Sequence, residues 1–216
     1  MAVNTLASLR ANIVDWVART DITQAIVDNF IDLAEGEIIH GVYDERGYAI
    51  VPPLRARSME TYDDVFALSG EFTDLPAGFL GFKTIKTATQ QLSEVSNEVY
   101  EATYVSLTGS TPKAYAIVGG QIRVGPGAAG GDLMRVVYYK QPDNLITMGA
   151  NWVLERYPNT YLYGALRHLA FYTAMDSRIA FLQSAFISTL VAMHASEKST
   201  AFAGQLIQRT LGVTTT

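Results

Sequence analysis

Apolar residues recur along this chain with two different periods, and the change of period organises it. Leu6, Leu9, Ile13 and Trp16 follow one another at spacings of 3, 4 and 3, the stripe of a helix with one buried face. Asn4 or Thr5 is placed to cap it. After the Arg19-Thr20-Asp21 corner, Asp21 offers a cap for a second helix. In it Ile26, Phe30, Leu33 and Glu37 stay in register, and it closes near His40-Gly41. Asp28, Asp32 and Glu35, at spacings of 4 and 3, are expected to share its solvated face. The two helices read as an antiparallel hairpin.

From Val42 to about Pro142 the helical period is lost. Pro52-Pro53 breaks the chain, and short β-like runs follow at 54–59, 65–72, 82–89, 115–118, 121–124 and 133–140. In the last run Leu133, Arg135, Val137 and Tyr139 alternate with Met134, Val136, Tyr138 and Lys140. Gly119-Gly120, between two runs, signals a tight hairpin. Ser96 to Tyr104 suits a short helix.

After Pro142 the helical period returns. Asn151 to Met175 reads as two helical pieces with a bend at Pro158, Asn151 capping the first and Pro158 fitting the first turn of the second. From Tyr161 to Met175 only Arg167 and His168 interrupt an apolar or small surface, so this rod has to be covered on most faces. Asp176 can cap a last helix in which Ile179, Leu182, Phe186, Leu190 and Met193 recur at 3, 4, 4 and 3. Ser184, Ser188, Ala192 and Ala195 form a strip of small residues on another face of it. The fold class is therefore α+β: an antiparallel helical bundle from residues 1–45 and 143–200, an inserted β-rich domain at 46–142, and a C-terminal arm at 201–216. The arm is weakly amphipathic through Phe202, Leu206, Ile207 and Leu211.

Charge adds one feature to this picture. Residues 1–49 hold Arg10, Arg19 and Arg46 against eight acids, and they carry the whole net charge of −5. No concentration of Lys and Arg exists to neutralise phosphates, which argues against tight nucleic-acid binding. The absence of cysteine excludes disulfides, thiolate metal sites and a cysteine nucleophile. No basic stretch precedes an apolar run at the N-terminus, so no signal peptide is read. The longest uncharged window, Ile179 to Ser196, reaches the 18 residues at the lower limit for a membrane span, but six polar residues interrupt it and a packed helix is expected.

Candidate chemistry is sparse. Gly125 to Gly130 has the spacing G-x-G-x-x-G, yet a strand rather than a helix is expected to follow, so no phosphate cradle forms. Glu37-Ile38-Ile39-His40 has the E-x-x-H spacing of di-iron bundles, but neither His168 nor His194 has a Glu three residues before it, and a solvated helix end is expected. No G-x-S-x-G elbow is present. His168 is expected to be a core or interface histidine, and His194 to sit near a helix C-terminus, favoured by the dipole if protonated. No catalytic residue, cofactor site or metal site is read; a small enzyme using His168 with a tyrosine and an acid is the contrasting hypothesis. The 12 tyrosines, clustered at 138–139 and at 157, 161, 163 and 172, fit either half-buried rings or a protein interface.

Asn151-Trp152-Val153-Leu154, then Tyr157-Pro158 and Tyr161 to Leu166, resembles the tailed-bacteriophage head–tail adaptor (connector) family. Ala114 to Val124 is similar to that family's strand pair, Val137 to Lys140 to the following strand, Phe72 to Leu80 to the start of its insertion, and Phe30 to Glu35 to its second helix. The resemblance implies a non-enzymatic structural virion protein of the neck, assembled in the host cytoplasm. It would form a homo-oligomeric ring, usually a dodecamer, beneath the portal protein, extend the DNA channel without specific DNA binding, and offer a docking surface to tail or nozzle proteins. A tail-completion or stopper ring contacting the tail is the alternative. An acidic lumen would let DNA slide. Phe202, Leu206, Ile207 and Leu211 would then contact the portal or a neighbouring subunit. No membrane partner is implied.

Overall fold

The computed structural model describes residues 3–19, 21–107, 111–127 and 131–201. The chain is α+β, with elements in the order α1 (Leu6–Val17), α2 (Gln24–His40), β1 (Val42–Tyr43), β2 (Ala49–Val51), a 3-10 turn (Arg57–Met59) and β3 (Glu60–Ala67). Then come β4 (Thr73–Asp74), β5 (Phe79–Lys86), β6 (Ser93–Glu94), α3 (Asn97–Thr103), β7 (Ala114–Val118), β8 (Gln121–Gly125) and β9 (Leu133–Lys140). Last are α4 (Leu145–Met148), α5 (Trp152–Arg156), α6 (Pro158–Tyr172) and α7 (Asp176–Ala201). Two compact units result. The helical unit comes from the chain up to Ser58 and from Asn144 onward, and the β-rich unit is Met59–Asp143.

In the helical unit, α6 is the element that α1, α2 and α7 all pack against. Local chemistry sets its start. Asn151 accepts from the Leu154 N–H at 2.9 Å to open α5, and Pro158 occupies the first turn of α6. Gly164 is where close approach is needed. A Cβ there would lie 2.8 Å from the Ala34 Cβ and 2.9 Å from the Phe186 ring, so its absence lets α2 and α7 close on α6. The rod is covered on most faces, as its composition requires, but only to Ala170; Phe171 and Tyr172 are 59% and 62% exposed.

Thr5 caps α1 with a reciprocal capping box to Ser8, and Leu6, Leu9 and Ile13 are buried, but the buried face ends on Val17 and the expected Trp16 is 44% exposed. Three expectations for α2 are corrected. Thr23 supplies its cap, while Asp21 is drawn into an exposed ion pair with Arg19 at 2.7 Å. The buried face is Val27, Ile31, Ala34 and Ile38, one residue on from the expected stripe, and Leu33 is 52% exposed. The acids do not share a solvated face. Asp28 pairs with Arg10 at 2.6 Å, Asp32 accepts from Asn144 at 2.8 Å, and Glu35 is buried.

In α7, Leu182, Phe186, Leu190 and Met193 are buried as the period indicates, whereas Ile179 is half-buried and Asp176 is the first helical residue rather than the cap. His194, however, lies within this helix rather than at its end. Burial and the nearby Lys198 hold its imidazole below the usual range, so a favourable end-of-helix charge is not what it provides.

Among the described residues the β-rich unit has two sheets. One has the order β3-β9-β5 and the other β4-β8-β7-β6, in which only the β6–β7 pairing is parallel. Both line one core, with Phe66, Ile85, Met134, Val136 and Tyr138 from the first and Tyr115, Ile122 and Val124 from the second. Gly119 and Gly120 both have positive φ and turn β7 into β8, as a two-residue hairpin of this kind requires. Ser96 caps α3. The run 54–59 is not a strand. Leu54 and Ala56 are buried alternately, but Leu54 bonds to the Ile39 carbonyl and the chain then enters the 3-10 turn, so no ladder partner is present. The run 65–72 is a strand only to Ala67, and the next long strand begins at Phe79 rather than Phe82.

Candidate interaction site

Three residues beyond Gly164 on α6, Arg167 is 5% exposed and holds three helices together. Its guanidinium donates to Gln183 Oε1 of α7 at 2.8 Å and to the Glu37 carboxylate of α2. It also lies 4.9 Å from the centroid of the Phe186 ring. Burial pushes the Glu37 carboxyl up, but hydrogen bonds from His168 and Arg167 outweigh it and leave the group below the usual carboxylate range. His168 Nε2 sits 2.9 Å from the Arg167 guanidinium and 3.4 Å from Glu37, with its ring stacked on Phe30 at 6.4 Å. An acid therefore does stand beside His168. Its charge is already balanced by a buried guanidinium, which makes the cluster a lock between helices rather than a free general base. Glu37 of the E-x-x-H spacing faces this lock, whereas His40 is exposed.

Glu35, one turn from Asp32, is 2% exposed. Its Oε2 accepts from the Leu145 N–H at 3.0 Å, at the start of α4. Burial raises its carboxyl to about 7, against the partly compensating bond from Leu145. Tyr161 is fully buried below, its hydroxyl accepting from Asn151 at 2.7 Å and its titration pushed up by burial. At the far end of α7, the buried Glu197 accepts from the Tyr157 hydroxyl at 3.0 Å and lies 3.6 Å from Arg156.

The β-rich unit has its own buried cation. Arg123 of β8 pairs with Glu101 of α3 and with Glu71, between aromatic faces of Phe72 at 4.7 Å and Tyr100 at 4.8 Å. A groove of about 440 Å³ opens beside it, lined among others by Gly70, Tyr104, Val105, Leu107 and Pro126. The sequence offers no more than a lone Arg alternating with Ile122 and Val124, so its partners were not legible there. The described part of the G-x-G-x-x-G stretch, Gly125 to Gly127, ends β8, and β9 is the next element, which is not the helix a dinucleotide site needs.

Among the described residues, no group of three or more His, Asp or Glu side chains is placed to hold a metal ion. The tyrosines divide. Tyr138 and Tyr161 are buried, Tyr139, Tyr157 and Tyr163 half-buried, and Tyr172 exposed. The helical unit displays further large apolar side chains, with Trp16 44%, Phe171 59% and Phe181 61% exposed. Phe202, Leu206, Ile207 and Leu211, the expected contact residues of the arm, lie outside the described residues.

Comparison with known proteins gives one family. The model described as SU10 adaptor protein matches residues 4–210. No curated protein matches the sequence.

Proposed function

Because the chain belongs to the SU10 adaptor protein family, we propose that it forms a ring at the head–tail junction of a tailed-phage virion, docked on the portal protein. Membership makes it a bacteriophage structural protein and a virion component; the placement within the neck is our reading. In it, the helical unit is an antiparallel bundle carrying the β-rich unit as an insertion. The ring prolongs the DNA channel, gives tail or nozzle proteins their attachment surface, and is built during assembly in the host cytoplasm.

The family match over residues 4–210 carries this reading, because it takes in nearly all of both units. Two features are consistent with it. Glu37, Arg167 and His168 of the helical unit are spent on tying helices together, and large aromatic side chains of the same unit stand exposed. The acidic first 49 residues suit a surface past which DNA slides without adhering.

Electron microscopy of the protein mixed with its portal tests the proposal. A ring on the tail-side end of the portal is expected. A chain that stays monomeric and shows no affinity for the portal would overturn it. A deletion mutant whose heads keep an adaptor ring and their packaged DNA would instead favour a stopper that contacts the tail.

A further inference from the structure

Glu35 holds the start of α4 from inside the helical unit, and does so at an electrostatic disadvantage. Its Oε2 accepts from the Leu145 N–H, the first backbone amide of α4. Its Oε1 is enclosed and makes no hydrogen bond among the described residues. Three residues earlier on α2, Asp32 accepts from the Asn144 side-chain amide, and Asn144 in turn caps α4 by accepting from the Thr147 N–H at 3.0 Å. Two acids of α2 thus grip the two residues at the entrance to α4. The grip is needed, because α4 is lightly held: of its four residues Leu145 is buried, while Thr147 and Met148 are exposed. Such an element parts from its neighbour at less cost than unfolding the whole unit.

Among the described residues no cation pairs with Glu35. On α1, Arg10 is taken by Asp28, about two turns earlier on α2. On α6, Arg167 and His168 are turned to Glu37, and the group α6 brings towards Glu35 is the neutral hydroxyl of Tyr161. α4 has no charged side chain, and Asp32 adds repulsion from Glu35's own helix. A carboxylate shut off from water with one oxygen unbonded is costly, and two events relieve it: protonation, or parting of α4 so that water enters. We propose that Glu35 is a proton-operated latch, holding α4 closed on α2 when protonated and releasing it when ionised. α4 is the first helix the chain enters on leaving the β-rich unit, so the latch sets how firmly the returning chain is anchored. This goes beyond the ring reading and does not depend on it.

The direction follows from burial. In the closed form burial pushes the carboxyl up to about 7, while in the open, wetted form it returns towards its ordinary value. The open fraction therefore rises with pH between the two, by up to about tenfold per pH unit, and levels off above about 7. Hydrogen exchange of the full chain, read by mass spectrometry between pH 5 and pH 8 and corrected for intrinsic rates, tests this. The reporters are the bonded amides of Leu145, Thr147, Met148 and Gly149. Their opening is expected to increase at least about tenfold from pH 5 to pH 7 and no further at pH 8. At every pH they should be at least about tenfold less protected than the amides of α6. Glu35→Gln, which keeps an acceptor for Leu145, should make the profile flat.

A flat profile in the parent overturns the latch, and so does a pH dependence that survives in Glu35→Gln, since another group would then drive the opening. Equal protection of α4 and α6 also overturns it, because α4 would then open only when the whole unit unfolds. Should Glu35→Gln not fold, the infrared band of a protonated carboxyl in the parent decides. It must fade over the same pH interval as the loss of protection, and its absence above the ordinary carboxylate range overturns the proposal.

Discussion

Glu35 is the residue whose chemistry and position are most at odds, since a carboxylate enclosed by protein is costly unless fully bonded. Its folded state favours the protonated form, burial pushing the carboxyl up to about 7 from an ordinary value of 4.5. Between those values the folded chain binds more protons than the unfolded one, so this group lowers stability as pH rises and has no further effect above about 7. Glu37 acts oppositely and at lower pH, its contribution present above the ordinary carboxylate range and lost as pH falls through its depressed value. Glu35→Gln keeps an acceptor for the Leu145 N–H and removes the titration. Urea unfolding should show the variant gaining stability relative to the parent from pH 5 to pH 8, by up to about 3 kcal/mol; a constant difference across that range would refute the assignment. None of this was legible in the sequence. Glu35 there stands in line with Asp28 and Asp32, and its partner Leu145 is 110 residues away. Arg123 was hidden for the same reason, since Glu71 is 52 residues away.

At the scale of elements, what the period of apolar residues decides is whether a helix forms, and what it leaves open is which way the helix turns. Leu6, Leu9, Ile13 and Trp16 offer one stripe, and α1 buries the first three, with Val17 going inward in place of Trp16. In α2 two stripes run side by side, Ile26-Phe30-Leu33 and Val27-Ile31-Ala34-Ile38, and both satisfy helical spacing. The choice falls to the neighbour. Ala34 presents the small side chain that can face Gly164, and the second stripe goes inward with it. Two substitutions separate this packing effect from helix propensity. Gly164→Ala puts a methyl against Ala34 and Phe186 and should cost about 1–2 kcal/mol net, overpacking outweighing propensity. Gly36→Ala, with nothing within 4 Å of the new methyl, should stabilise by about 0.5–1 kcal/mol. Thermal unfolding of the two variants checks this, and equal shifts of the same sign would mean that Gly164 is not a contact point.

For the molecule as a whole, sequence texture separated helical from β-like stretches because the two periods differ, but not how each β-like run is paired. Leu54 and Ala56 alternate as a strand would and yet face no ladder. The β-rich unit has its own core, which predicts that residues 59–143 expressed alone give a cooperative unfolding transition by circular dichroism; a featureless, non-cooperative melt would show that it depends on the helices. Its outgoing and returning strands are partners in one antiparallel ladder, Glu60 opposite Tyr139. Chain departure and chain return are thus separated by little more than the width of one strand pairing, about 5 Å. A doorway that narrow asks almost nothing of the host scaffold. Lineages could enlarge, trim or exchange what lies beyond it while the helices remain as they are.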